Sequence, residues 1–393
     1  MKILMVHNSY AKPSGEEHAS QGIADLLEAN GHTVSWYRRS SAEIIDSKFG
    51  KIKSFFTGVY NPNSVKEISK ILDKVQPDIV QVQNFYPLIS VSIMKEIKGR
   101  NIPIVMRTPN YRLFCPSGLF YTDGKVCEKC TTGIKEFSCI TNNCEGSIFK
   151  STGYALRNAF ARVSGLIKDN VDVFITQSQF QKNKFIELGI DSDNIGILPA
   201  LSPKVSQIFE EREGEYISFI GRVSLEKGIE NFIEAAINLP NLKFAVAGSY
   251  HGLEYLVDNS PTNIKWCGFL SGKELHNFYL DSKVVVIPSE WYEGFPNIAV
   301  QAMLYKKALI CSNIGVFTDF IKNNENGILF EPRNNDDLIS KINYLMNNYD
   351  VRTSLGINAN KEAMSIYSHE AIYNQLMNIY DKAIINNRKK INE

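Results

Sequence analysis

Two short stretches in the second half of the chain carry side chains suited to handling an anion and a polyol. The first is "SFIGRVSLEKGIENFIEAA", Ser218 to Ala236. It reads as a strand, a turn and a helix, with Arg222 and Lys227 in the turn just before Gly228. Two cations beside a helix N-terminus make an anion site from side-chain charge and free backbone N–H groups. Neither a Walker A sequence nor GxGxxG is present, so the pattern is not that of an ATPase or a dinucleotide enzyme. The alternative is a pair of solvated loop charges. The second stretch is "SEWYEGFPNIAVQAM", Ser289 to Met303, after the aliphatic run that ends at Pro288. Backbone N–H groups near Asn297 and Ile298 are placed to hold phosphate at a helix start. Glu293 would then lie beside the phosphate and accept from sugar hydroxyls. Gln301, about one helical turn into the helix, would face the same ligand. Taken alone, Glu293 also reads as an acid favoured at a helix N-terminus, and Gln301 as a solvated helix residue.

Cysteine supplies another kind of chemistry. Of the seven cysteines, Cys115, Cys127, Cys130, Cys139 and Cys144 fall within one short region. "CEKC" sets Cys127 and Cys130 on one knuckle, and "CITNNC" sets Cys139 and Cys144 on a second. That spacing suits tetrahedral zinc, with Cys115 able to displace Cys139 from the set. Four thiolates leave no open position, so such a zinc would be structural. The competing reading is a group of buried free thiols. Asp191 to Asp193 forms a DSD triplet between a helix and a strand and reads as turn chemistry rather than a metal motif.

The elements that must position these groups are legible as alternating aliphatic runs and amphipathic stretches. Strands are expected over residues 3–7, 33–37, 78–83, 103–107, 171–177 and 195–198. The pattern restarts with 216–221, 243–247, 264–267, 284–288, 309–312 and 328–330. Helical sequence lies between, as over 16–30, which Gly31 stops. Such a βαβα order argues for parallel sheets covered on both faces. With 393 residues the chain is too long for one ordinary core. The polar, Pro-containing segment 201–215 is the expected join, giving domains over 1–200 and 201–370. A C-terminal helix over 371–393 is expected to pack back toward the N-terminal domain. Ligands of such sheets bind beyond the carboxyl ends of the strands, so the cleft between two units is the natural site.

Composition narrows the function. The formal net charge is +1, which gives no general drive toward nucleic acid. No apolar run approaches the roughly 20 residues of a membrane span. "MKILMVHNSY" reads as a buried strand rather than a signal peptide, which implies a cytoplasmic protein with reduced thiols. The basic "NNRKK", Asn386 to Lys390, reads as a solvated helix end, with a membrane-surface contact as the alternative.

Together, "GRVSLEKGIENFIEAA" and "PSEWYEGFPNIAVQAM" resemble the C-terminal domain of family 4 retaining glycosyltransferases of the GT-B fold. The similarity continues through "KWCGFLSGKELHNFYLDSKVVVIPS", "NIGVFTDFI", "NENGILFEP" and "KPSGEEHASQGIADLLEANGHTV". "NYRLFCPSGLFYTDGKVCEKC", with its insert over 115–146, resembles a cysteine-bearing bacterial subgroup. The resemblance implies two Rossmann-like doubly wound α/β domains facing a cleft, with a helical C-terminal tail. Arg222 and Lys227 match the cations that hold the donor diphosphate. Glu293 matches the acid that touches the donor sugar, and Gln301 the position that grips the ribose. Gly15 matches the glycine that lets backbone approach the donor, and Gly268 and Phe269 the segment beside the base. Gly294, Phe295, Pro296, Asn297 and Ile298 make up the donor-binding loop and helix start. There are three departures, one of them Asp319, which stands where the family commonly has Glu. Gln301 stands where the family has an acid, so it binds hydroxyls without charge assistance. Pro109 stands where the family often has a histidine, leaving that contact to a neighbour such as Arg107 or Asn110.

The implied activity is transfer of a sugar from a nucleotide diphosphate sugar to a carbohydrate hydroxyl, without a catalytic metal, in cell-surface polysaccharide or lipopolysaccharide synthesis. By the same resemblance the acceptor is a lipid-linked oligosaccharide and the enzyme touches the inner face of the membrane peripherally. The rival readings are a sugar-nucleotide 2-epimerase, which shares the architecture, and an inactive sugar-nucleotide-binding protein.

Overall fold

The structure is a computed structural model and describes residues 1–10, 15–45, 56–201 and 212–392. The chain divides into two units. The first comprises residues 1–120, 128–201 and 369–393, and the second residues 121–127 and 202–368.

In the first unit the parallel strands are β1 (Lys2–Ser9), β2 (Thr33–Ser40), β3 (Ile79–Asn84), β4 (Ile104–Arg107), β7 (Val173–Thr176) and β8 (Ile195–Ile197). They lie in the order β2-β1-β3-β4-β7-β8. The order reverses between β1 and β3, which is the switch point where doubly wound sheets place their ligands. The longer helices here are α1 (Gly15–Ala29), α2 (Pro62–Val75), α3 (Ile148–Val163) and α4 (Gln179–Glu187). Helix α2 starts as its sequence dictates: Asn61 caps it by accepting from Asn63 N–H, and Pro62 stands at the first helical position.

In the second unit the parallel strands are β9 (Tyr216–Ile220), β10 (Phe244–Ala247), β11 (Ile264–Gly268), β12 (Ser282–Ile287), β13 (Ala308–Ser312) and β14 (Ile328–Phe330). Their order is β11-β10-β9-β12-β13-β14, so the switch point falls between β9 and β12. The helices are α5 (Ile229–Asn238), α6 (Gly272–Leu280), α7 (Asn297–Leu304), α8 (Asn335–Asn347) and α9 (Tyr349–Ile366). Strand side chains alternate between two cores, as a sheet covered on both faces requires. Ile217, Phe219, Val284 and Val286 face one core, whereas Ile220, Val285 and Ile287 face the other.

The long C-terminal helix, α10 (His369–Asn392), belongs to the first unit. Ile372, Leu376, Ile379, Tyr380 and Ala383 recur at helical spacing and bury against Ile3, Ile79, Val105 and Val173. Gly196 in β8 makes room for it, since a Cβ there would lie 2.7 Å from Ile379 Cγ1. The "NNRKK" end is tied to this unit on one side, while Arg388 and Lys389 stay exposed as expected of a solvated helix end. Asn387 donates to Asn101 O at 2.8 Å, and Lys390 Nζ donates to Val171 O at 3.1 Å. What that expectation left out is the buried Asp172 carboxylate, which lies 3.4 Å from Lys390 Nζ. Asp191 accepts from Asp193 N–H at 2.8 Å in a short 3₁₀ turn, so the DSD triplet is turn chemistry.

The antiparallel pair β5 (Tyr121–Thr122) and β6 (Lys125–Val126), inside the cysteine insert, was not expected, and it groups with the second unit. The join expected over 201–215 falls mostly outside the described residues. No helix among the described residues is long and apolar enough to cross a membrane.

Candidate functional site

The carboxyl end of β9 runs into the first of the two stretches. After Ile220 comes Gly221, then a single 3₁₀ turn over Leu225–Lys227, then Gly228, where α5 begins. Gly228 has φ +71°, and a Cβ there would lie 1.8 Å from Pro288 O. Only glycine lets this turn press against the end of β12. Gly248, after β10, has the same role toward its neighbour, since a Cβ would lie 1.8 Å from Gly221 O. The turn is also tied by backbone to the second stretch, where Glu290 N–H donates to Glu226 O at 2.9 Å.

This close approach brings Lys227 to Glu293. The Nζ–Oε2 distance is 2.8 Å, with the two side chains 18% and 8% exposed. Ser289 Oγ donates to the other carboxylate oxygen of Glu293. Lys227 also lies 5.6 Å from the centre of the Trp291 ring. Around them a pocket opens at the switch point, floored by Ile220 of β9 and Ile287 of β12. Its polar wall is Lys227, Ser289 and Glu293, and its rim is Phe295, Pro296, Asn297 and Ile298. Phe295 is anchored from behind by edge contacts with Phe320 and Tyr367.

At the start of α7, the Ala299 and Val300 N–H groups turn back to Pro296 O, at 2.9 and 3.2 Å. The Asn297 N–H is given to Phe295 O at 3.1 Å. Among the described residues the Ile298 N–H has no backbone acceptor, so of the two amides expected at this helix start it is the one left for a ligand. Two further buried donors have no hydrogen-bond partner among the described residues, Ser224 Oγ and Trp291 Nε1. A buried donor without an acceptor costs about 1–3 kcal/mol, so a bound acceptor group would relieve that cost. The pocket itself therefore offers one ammonium, one carboxylate and one backbone N–H, a set suited to a phosphate oxygen beside a hydroxyl.

The other residues singled out in the sequence lie outside this pocket. Arg222 is 62% exposed and pairs with Glu226. Gly294 and Gln301 are half-buried in the loop and in α7. Gly268 ends β11 at φ +68°, and Phe269 after it is 76% exposed. Gly15 is exposed at the start of α1, with open space around it. The second acid of the loop, Glu290, is taken up by Arg333 at 2.6 Å and by Asn231 at 3.3 Å. Tyr121 of β5 reaches the same place: burial pushes its phenol pKa up, with further effects from Glu290 and Arg333. Ser289, Ser224, Trp291 N–H and Arg333 were missed from sequence. The spacing of Ser289 four residues before Glu293 was the one available sign.

The cysteines form two pairs. Cys115 acts most strongly on Cys130, and Cys144 on Cys139, while Cys130 lies within electrostatic reach of the other three of these thiols. Those contacts hold the Cys115 thiol well below its ordinary pKa and, together with burial, push Cys130 and Cys139 up. Cys115 is thus the partner of Cys130, whereas Cys127 belongs to the segment grouped with the second unit. A soft four-thiol set suits zinc chemically. As placed, the side chains make two pairs, and among the described residues no three His, Cys, Asp or Glu gather around one point.

Residues 203–362 match the family described as glycosyl transferases group 1. An uncharacterized glycosyltransferase of Methanocaldococcus jannaschii is 30% identical over 234 residues, covering 56% of this chain and 59% of that protein. The capsular polysaccharide biosynthesis glycosyltransferase CapM of Staphylococcus aureus is 26% identical over 223 residues, covering 53% of this chain and 58% of that protein. The chain thus spans less than two thirds of the length of both relatives. Among solved structures, sucrose-phosphate synthase from Thermosynechococcus elongatus superposes with a TM-score of 0.70 at 16% identity, covering 97% of this chain and 98% of that one. Anabaena HepE in complex with UDP-glucose superposes with a TM-score of 0.62 at 16% identity, covering 96% and 98%. The chain has the GT-B fold of these structures, and its second unit carries the match to glycosyl transferases group 1.

Proposed function

We propose that the protein is a retaining glycosyltransferase of family 4, in its cysteine-bearing subgroup. It moves a sugar from a nucleotide diphosphate sugar to a carbohydrate hydroxyl in cell-surface polysaccharide synthesis. The observation that carries this reading is the buried Lys227–Glu293 pair at the switch point of the second sheet, in a pocket rimmed by the start of α7. The glycosyltransferase names of the relatives, and the UDP-glucose held in complex by the structural neighbour HepE, support it.

In this mechanism Lys227 and the Ile298 N–H meet the diphosphate, and Glu293 exchanges part of its pairing with Lys227 for donor-sugar hydroxyls. The bond from the anomeric carbon to the diphosphate oxygen breaks, and negative charge grows on the leaving phosphate, where Lys227 is already aimed. One pre-aimed donor of this kind contributes about 3 kcal/mol. The acceptor oxygen bonds to the anomeric carbon on the face the diphosphate leaves, and its proton passes to a phosphate oxygen. Lys227 supplies the positive charge that a divalent ion would otherwise bring. The acceptor is a lipid-linked oligosaccharide, reached by peripheral contact at the inner face of the membrane.

Incubation with labelled nucleotide sugars and membrane-extracted acceptor, with and without EDTA, tests the reading. We expect transferred sugar with the anomeric configuration of the donor, by NMR, in both conditions. A free epimerised sugar nucleotide would establish the isomerase instead, and neither product with any donor would leave a binding protein.

A further inference from the structure

The first unit has its own unsatisfied polar site, at the switch-point end of its sheet. The pocket is lined by Gln83 and Asn84 from the end of β3, Arg107 from the end of β4, and Glu16 from α1. Asn110, Arg112 and Asn158 continue the wall, with Tyr86 and Phe85 as its aromatic side. Two guanidinium groups therefore face one pocket.

Their partners do not use up their donors. Arg107 is 6% exposed, and its one close partner among the described residues is the Gln177 amide, which accepts from Nη2 at 2.9 Å in the orientation that satisfies both ends of that amide. Arg112 reaches Tyr10 OH from Nη1 at 3.4 Å, while its Nε is buried with no acceptor. Glu16 meets Arg112 through the Tyr10 phenol, which hydrogen-bonds both. Behind Arg112 a third guanidinium, Arg157, is fully engaged. It lies 4.1 Å from the Tyr86 ring centre and 4.4 Å from that of Tyr154, and donates to Pro116 O at 3.1 Å. Glu145 is the other carboxylate within electrostatic reach of Arg112 and Arg157. Three guanidinium groups thus stand against two carboxylates.

Gln83 is the independent observation. It is 5% exposed and lines the pocket, yet among the described residues neither its Oε1 nor its Nε2 has a partner. A buried amide with both ends unmade is costly, and an apolar residue of similar shape would serve packing better. Its N–H2 can donate to an anion and its carbonyl can accept from an adjoining hydroxyl. Guanidinium donors with an amide form a planar, multidentate receptor for carboxylate or phosphate oxygens.

We propose that this pocket is an acceptor subsite for an anionic group, a carboxylate or a phosphate, bound by Arg112 and Arg107 with Gln83. Calling the ligand an acceptor rests on the glycosyltransferase reading, whereas the anion site itself does not. The acceptor is then charged, either as an acidic sugar or as a sugar on a diphosphate carrier.

Calorimetric titration of the full chain with methyl α-glucuronide, inorganic pyrophosphate and uncharged methyl α-glucoside tests this. The proteins are wild type, Lys227→Ala, and Lys227→Ala combined with Arg112→Gln or with Gln83→Leu. We expect at least one anion to bind Lys227→Ala, whose own diphosphate pocket is disabled, and to weaken about tenfold or more when Arg112→Gln or Gln83→Leu is added to it. The glucoside should not bind. Glucuronide binding identifies an acidic sugar, and pyrophosphate binding a diphosphate carrier. The proposal is overturned if neither anion binds Lys227→Ala, or if adding Arg112→Gln and Gln83→Leu to it leaves that binding unchanged. Should Arg112→Gln fail to fold, anion protection of Arg112 from phenylglyoxal in wild type, read by mass spectrometry, decides in its place. UDP-glucose titrated in parallel separates the two readings. Donor binding without anion binding sinks only this subsite, and anion binding without any donor binding sinks only the glycosyltransferase reading.

Discussion

Lys227→Ala separates what the Lys227–Glu293 pair does for the fold from what it does for a ligand. The variant leaves Glu293, 6% exposed, with Ser289 as its remaining polar contact among the described residues. Removing one partner of a fully buried pair costs about 3–5 kcal/mol. Lys227 is 18% exposed, so some water reaches the site, and about 2–3 kcal/mol is the expected loss. The double variant Lys227→Met/Glu293→Gln removes both charges, keeps an acceptor for Ser289 Oγ and should recover most of that loss. Donor binding should not recover, because the diphosphate needs the cation. Urea unfolding gives the stabilities, and hydrogen-exchange mass spectrometry assigns the loss to peptides from 216–312. Calorimetry with the donor found by screening gives the binding. The reasoning is refuted if Lys227→Ala costs less than about 0.5 kcal/mol, or if the double variant binds donor like the parent.

Three further outcomes follow from particular contacts. Gly228→Ala sets a Cβ 1.8 Å from Pro288 O at φ +71°, so it should cost about 2 kcal/mol or more in urea unfolding and weaken donor binding, although it removes no ligand-binding group. Lys307 donates to Leu280 O at 2.8 Å, and burial lowers its pKa from 10.5 to about 8. Between those values the unfolded chain holds a proton that the folded chain has released. Stability relative to Lys307→Met should therefore rise with pH across that window, by up to about 3 kcal/mol, and a flat difference would show that the amine is not desolvated. Elemental analysis should find one zinc per chain, lost in Cys115→Ser and kept in Cys127→Ser, if the two thiol pairs close on an ion. Zinc-free protein with freely titrating thiols would show that they do not.

Much of the fold was legible because buried parallel strands are short aliphatic runs, and both sheets consist of such runs. What spacing could not show was long-range partnership. Asp123-Gly124 in "FYTDGKVCEKC" is a local turn signal for the Tyr121–Val126 hairpin, but nothing local says that the hairpin joins the second unit. The "NNRKK" tail looked solvated on every side because its acceptors, Asn101 O and Val171 O, are backbone atoms far away in sequence. At the site, Lys227 and Glu293 were readable because each stands at the carboxyl end of a strand, beside a glycine-marked turn. Arg222 has the same spacing, yet an acid four residues on, Glu226, holds it at the surface. Ser289 gave only its spacing from Glu293 as a signal, and the Trp291 N–H and Gln83 gave none, since their meaning lies in which buried atoms lack partners. That is a property of the assembled pocket.

The central claim is that the Lys227 pocket holds the diphosphate of a nucleotide sugar. Calorimetric titration of UDP, GDP and dTDP, each beside its monophosphate, against wild type and Lys227→Met tests it most directly. At least one diphosphate should bind wild type, bind more weakly by about tenfold or more in the variant, and bind better than its monophosphate. A protein that binds none of the three, or a Lys227→Met variant that binds the same diphosphate as tightly as wild type, would contradict the claim.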